Sequence, residues 1–153
     1  MSKFKAVRAL HREYYTNPDL EESGTWFPIG PDGVPGAARI PVRSAGARGP
    51  KTLRRQQVSR WQREYFNKEK SVPDAELLED NLDYAATLVA GWENFRDDDG
   101  NAIACTGENV RELFTEYPHL LGDVIEHAQD RKRYGEQAER EMGKTSAASS
   151  GAA

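Results

Sequence analysis

The feature that most constrains this chain is the block from Leu77 to Ala128, where helix-spaced apolar residues are cut twice by residues that end helices. Leu78, Leu82, Ala85, Val89 and Trp92 recur at three- and four-residue steps, which predicts a helix over 74–93. That stripe stops at Asp97-Asp98-Asp99-Gly100-Asn101, a run of turn formers. A second stripe follows Thr106 with Val110, Leu113, Phe114 and Tyr117, and Pro118 ends it. A third carries Leu121, Val124, Ile125 and Ala128. Helix, acidic turn, short helix, proline, helix is therefore the expected order, and it predicts a compact helical C-terminal half.

The N-terminal third has a different texture. Phe4, Val7, Leu10, His11 and Tyr14 suggest a short amphipathic helix ending before Asn17-Pro18. Residues 25–43 alternate as two strands around an Asp32-Gly33 turn, with Pro41 restricting the second strand to an edge or bulge. A two-stranded unit of that size is not stable alone. The fold class is thus mainly α with a small N-terminal β-hairpin unit, an α+β chain. Gly46 to Pro50 reads as a flexible joint, so 1–50 form the N-terminal helix, β unit and joint, and 51–143 form a helical domain. Residues 144–153 lack bulky side chains and are expected to be a disordered tail.

Charge separates along the chain. From Arg39 to Lys70 there are ten Lys/Arg against two Glu, and from Asp74 onward eighteen Asp/Glu against seven Lys/Arg. Solvated helix faces account for this, and the asymmetry also favours self-association. The basic helix from Thr52, with Trp61, Tyr65 and Phe66, has the ingredients of a nucleic-acid surface. Its aromatics fall on the face that docking would bury, and the acidic half opposes such a field, so nucleic acid is not the expected partner.

Enzymatic chemistry finds no support. One cysteine, Cys105, excludes an internal disulfide and gives no support for a Cys-based zinc site. His11, His119 and His127 are too widely spaced to share a metal on one helix. Taking Asp97 as the first position of a calcium loop puts Asp99, Asn101 and Glu108 at ligand positions, but Ala102 stands where the sharp bend requires Gly. No nucleophile elbow or phosphate-cradling glycine loop is present. The expectation is a binding protein, not an enzyme, with no cofactor, no metal and no membrane span.

The ordered set of motifs resembles the tail assembly chaperones of long-tailed (siphovirus-type) bacteriophages. The carriers are Gly24, Thr25, Trp26 and Phe27; Leu88, Val89, Gly91, Trp92 and Glu93; Asp99, Gly100 and Asn101; Glu108, Asn109, Leu113, Phe114, Tyr117 and Pro118; and Leu121, Val124 and Ile125. The resemblance runs from Gly24 to about Arg133. It implies a late phage protein in the host cytoplasm that binds the tape measure protein, keeps it soluble during tail assembly, and is absent from the mature virion. A structural tail or neck component is the alternative, and a nucleic-acid-binding module using residues 51–70 a further one.

On this reading Trp92 anchors the helical packing among Leu82, Val89, Phe114 and Leu121, or serves as a partner anchor if exposed. Leu77, Leu88 and Leu120, each beside a stripe position, are the expected partner-binding residues. The resemblance also implies a longer product made by a one-base backward ribosomal frameshift, because Met142-Gly143-Lys144 can be encoded on a slippery G-GGA-AAR heptamer. Such an extension would recruit tail tube protein.

Overall fold

A computed structural model describes residues 3–4, 6–30 and 36–151 of the chain. The elements are α1 (Arg8–Tyr14), α2 (Pro18–Ser23), β1 (Thr25–Ile29), β2 (Ala38–Val42), α3 (Arg48–Glu64), α4 (Asp74–Leu88), α5 (Gly107–Glu116), α6 (Pro118–Gln129) and α7 (Glu136–Gly151). The α+β class, with a two-stranded antiparallel hairpin on the N-terminal side and a helical C-terminal half, is what the sequence predicts.

Helix starts follow local chemistry. Asn17 Oδ1 accepts from the N–H groups of Asp19 and Leu20, and Pro18 occupies the first helical position of α2. Thr106 Oγ1 accepts from Asn109 N–H to open α5. Tyr117 leaves the helical region, at φ −122° and ψ 77°, because Pro118 follows, and that residue turns α5 into α6.

β1 and β2 pair Thr25 with Val42 and Phe27 with Ile40. Gly24 enters the hairpin at φ 94°, with β2 backbone so close that an added Cβ would sit 3.0 Å from Pro41 and Val42. The turn at Asp32-Gly33 lies outside the described residues. Ile40 and Val42 point into the core and meet Leu82, Ala85 and Leu88 of α4, Phe114 of α5, and Val124 and Ala128 of α6. The hairpin thus closes one side of the three-helix cluster, a burial that neither part achieves alone.

Three features differ from the sequence reading. First, α4 ends at Leu88 instead of running to residue 93. The chain turns extended at Val89 and lies along the outer edge of β2, with Arg39 bridging Glu93 and Val42 bridging Val89. Arg43 enforces this exit: its N–H donates to Leu88 O at 2.7 Å, and its Nη1 to Thr87 O at 3.0 Å and Val89 O at 3.3 Å. A guanidinium there satisfies the orphan carbonyls of the helix end and complements the helix dipole.

Second, Gly46 to Pro50 is not an open joint throughout. Arg48, Gly49 and Pro50 form the first turn of α3, and Ala47 and Pro50 are buried. A proline is tolerated in a first helical turn, where its missing N–H would have had no intrahelical partner. Third, α7 continues to Gly151 through most of the segment expected to be disordered, while residues 152–153 lie outside the described residues. Glu, Gln, Ala, Arg and Met fill its first turns and favour helix.

The stripe on α1 is present but uncovered: Phe4, Val7, Leu10 and Tyr14 are all exposed. α1 is held instead by polar contacts, with Arg131 Nε donating to Glu13 O at 3.0 Å.

α3 docks on α4 through a buried polar latch. Asp80 Oδ2 accepts from Trp61 Nε1 at 2.7 Å and from Arg60, and Asp80 O accepts from Gln57 Nε2 at 2.8 Å. Arg54 donates to Asn81 Oδ1 at 2.9 Å while its guanidinium lies 3.8 Å over the Tyr84 ring. The face of α3 that packs is therefore Gln57 and Trp61, and Val58 and Phe66 are exposed.

Candidate partner-binding groove

The sequence-predicted residues divide. Leu88 is fully buried at the end of α4, so it belongs to the core and not to a partner face. Leu78, the first residue of the expected stripe, is exposed instead, at 44%. The reason is that α4 has two covered sides, α3 on one and α5 with α6 on the other. Leu77 is half-buried in the first turn of α4, away from the others.

Trp92 is half-buried just beyond the end of α4 and packs against the edge of the core, not at its centre. The early end of α4 removes it from the helix face on which Leu82 lies. Its ring stacks on Phe95 at a centroid distance of 4.5 Å and an interplanar angle of 2°, and Nε1 donates to Ile103 O at 2.6 Å. Trp92 thereby fixes the position of Phe95.

Phe95 and Leu120 are what the fold brings together. They share a groove of about 700 Å³ between the hairpin and the α5–α6 junction. Phe27 and Ile29 of β1 form one wall, and Leu113 and Leu120 the other. Tyr117, 54% exposed, stands at the junction, so its large apolar ring is left to solvent at the groove. Glu116 and Asp123 also border it. Of the four expected residues, Leu120 lines the groove directly and Trp92 supports it through Phe95. Phe27, Ile29, Phe95, Leu113 and Tyr117 were not anticipated as site residues. Tyr117 carried the one local signal, a bulky aromatic immediately before a helix-breaking proline.

Two further concavities among the described residues are lined mainly by polar side chains. One of about 420 Å³ contains Thr25, His127, Asp130, Arg133 and Glu141. His127 is 7% exposed, its Nε2 lies 2.9 Å from Thr25 Oγ1, and burial pushes its pKa down to about 4, with Arg133 adding to the effect. The rings of Phe27 and Tyr134 meet it edge-on, and Tyr134 donates its hydroxyl to Val42 O at 2.8 Å. These bonds tie α6 and the turn after it to the hairpin.

The acidic turn is internally occupied. Asp97 Oδ1 accepts from the N–H groups of Asp99 and Asn101 at 3.0 and 2.9 Å, and Gly100 takes φ 80°. On the basic helix Trp61 is buried and Arg54 and Arg60 bond to α4 residues, so stacking and charge there are partly committed within the chain. Among the described residues no helix is long and apolar enough to cross a membrane.

The family model described as YdaY prophage protein matches residues 51–145. The chain belongs to the YdaY prophage protein family. It is therefore phage-derived. The YdaY match spans nearly all of α3, all of α4 to α6, and Phe95, and so contains most of the groove. It stops short of the hairpin that supplies Phe27 and Ile29. No curated protein and no solved structure matches the chain.

Proposed function

We propose that this prophage protein is a tail assembly chaperone that binds the tape measure protein and keeps it soluble in the host cytoplasm until the tail tube forms. The observation that carries this reading is the groove at Phe95, Leu113 and Leu120, an apolar concavity with an exposed aromatic at its edge. A chain with 30% charged residues that nonetheless leaves such a surface open is built to cover apolar surface on something else. A long helical protein awaiting assembly presents that kind of surface, and small subunits along it would suppress aggregation. The family supplies the phage setting, and the motif order described above supplies the choice of partner.

The activity is binding, with no chemical step. Subunits covering an extended partner would also lie beside one another, which fits the separation of basic and acidic segments. A longer frameshifted product, if the gene encodes one, would add a contact to the tail tube protein beyond α7.

Co-expression with a fragment of the tape measure protein of the same prophage tests the proposal. The fragment is expected in the soluble fraction with this chain bound, and in the pellet when Tyr117→Ser and Leu120→Ser are combined. A fragment that stays insoluble beside well-folded chaperone would overturn it. Stoichiometric presence of the chain in finished particles would favour a structural tail or neck component instead.

A further inference from the structure

Resting on the chaperone reading, we propose that the groove takes an amphipathic α-helix whose apolar ridge is flanked by lysine or arginine. Three observations converge on that occupant.

The first is charge. Glu116 and Asp123 border the groove, and among the described residues no Lys or Arg does. Across α5, α6 and the residue after them, positions 107–130, six acidic residues accompany a single arginine. That arginine, Arg111, already bonds to Glu79 and Asp83 of α4. Among the described residues that line the groove, the two carboxylates have no Lys or Arg beside them, so a basic flank is the complementary one.

The second is the hairpin edge. The backbone N–H groups of Arg39 in β2 and of Arg43 just after it donate outward, to Glu93 O and Leu88 O, so the backbone polar groups of Ile40 and Val42 face β1. By alternation Thr25 and Phe27 face inward, and Trp26 and Pro28 face the open edge of β1. Pro28 has no N–H to offer there, and the edge is a poor template for a third strand. An added strand is disfavoured, which leaves side-chain packing by a helix as the mode of recognition.

The third is Gly122. It sits inside α6, where glycine costs about 1 kcal/mol relative to alanine. Nothing within 4 Å would obstruct a Cβ, so the chain's own packing gives no reason for it. At about 100° per residue it falls, in projection, between Pro118 and His119, both of which line the groove. A glycine on that face lets a second backbone approach α6 closely.

The test uses the full chain and two labelled peptides of about 18 residues, five turns of helix. Both carry leucine at positions i, i+3, i+4 and i+7, flanked in one by lysine and in the other by glutamate. By fluorescence anisotropy the lysine peptide should bind at least about tenfold more tightly at low salt, with the ratio shrinking near 0.5 M NaCl. Combining Glu116→Lys with Asp123→Lys should reverse the preference. Gly122→Leu should abolish binding while the melting temperature stays the same or rises. Equal binding of the two peptides, or full binding to the Gly122→Leu protein, overturns the inference. If tape measure fragments are still solubilised in that case, the chaperone reading survives alone. If the lysine peptide binds as described but the fragment remains insoluble, the groove's preference stands and the chaperone reading falls.

Discussion

The indole N–H of Trp61 donates to a carboxylate oxygen of Asp80 at 2.7 Å, joining α3 to α4 through a bond buried at both ends. Asp80 also receives Arg60, so one carboxylate holds two donors from successive residues of α3. Asp80→Ala leaves the indole N–H and the guanidinium without their acceptor. The expected loss is about 3 kcal/mol, read from urea midpoints at constant m-value. A double-mutant cycle with Trp61→Phe should show coupling above about 0.5 kcal/mol, and additive losses would mean the latch is not one unit.

Arg43→Met should destabilise by about 2 kcal/mol, because the carbonyls of Thr87 and Val89 lose a charged donor at the helix end. Arg43→Lys should recover little. The guanidinium reaches Glu22 O through Nε and the α4 carbonyls through Nη1, and an ammonium cannot fork in that way. Hydrogen exchange at Val89 and Glu93 reports the result. Protection unchanged in both variants would contradict the assignment of the α4 end to Arg43.

His127 makes stability pH-dependent in a defined direction. Its pKa is lowered in the folded chain to about 4 from an unfolded value near 6.5. The folded state keeps the ring neutral, so its contribution is complete above pH 6.5 and is lost as pH falls towards 4. Between those limits the unfolded chain binds the extra proton, and the slope approaches about 1.4 kcal/mol per pH unit. His127→Gln, which retains a partner for Thr25, should flatten that part of the urea-midpoint profile. An identical profile would mean that His127 titrates normally.

Trp92→Ala should loosen the 92–103 loop without unfolding the core, since the ring sits at the core's edge. Loss of the Phe95 stack and of the bond to Ile103 O should total about 2 kcal/mol. Leu88→Ala, by contrast, opens a cavity in a fully buried site and should cost about 2–5 kcal/mol. The ranking by thermal melting is the check: a larger effect at Trp92 than at Leu88 would reverse the placement of the two residues.

Where local chemistry decides structure, the chain was readable. Thr106 and Pro118 each mark a helix start with the residue type that physics prefers there, and Gly24 and the paired alternation of 25–29 and 38–42 mark the hairpin. Asn17-Pro18 reads as the end of α1, whereas in the structure it also opens α2, which the sequence reading lacks. The end of α4 was not readable, because the helical period continues through Val89 and Trp92 while the group that halts it, Arg43, lies 45 positions earlier. Leu78 and Leu88 exchanged roles for a related reason. A period identifies a stripe but not how many neighbours a helix will have. The groove depends on Phe27, Phe95 and Leu120 meeting, and no pattern within a window spans that separation.

The YdaY match leaves out a hairpin that inserts Ile40 and Val42 among the helices and also lines the groove with Phe27 and Ile29. One small element therefore serves as the lid of the core and as half of a recognition surface. Because Phe27 and Ile29 line the groove and also pack against the core, the two duties fall on shared positions. Exchange of those residues would therefore alter the recognition surface and the seating of the hairpin on the helices together.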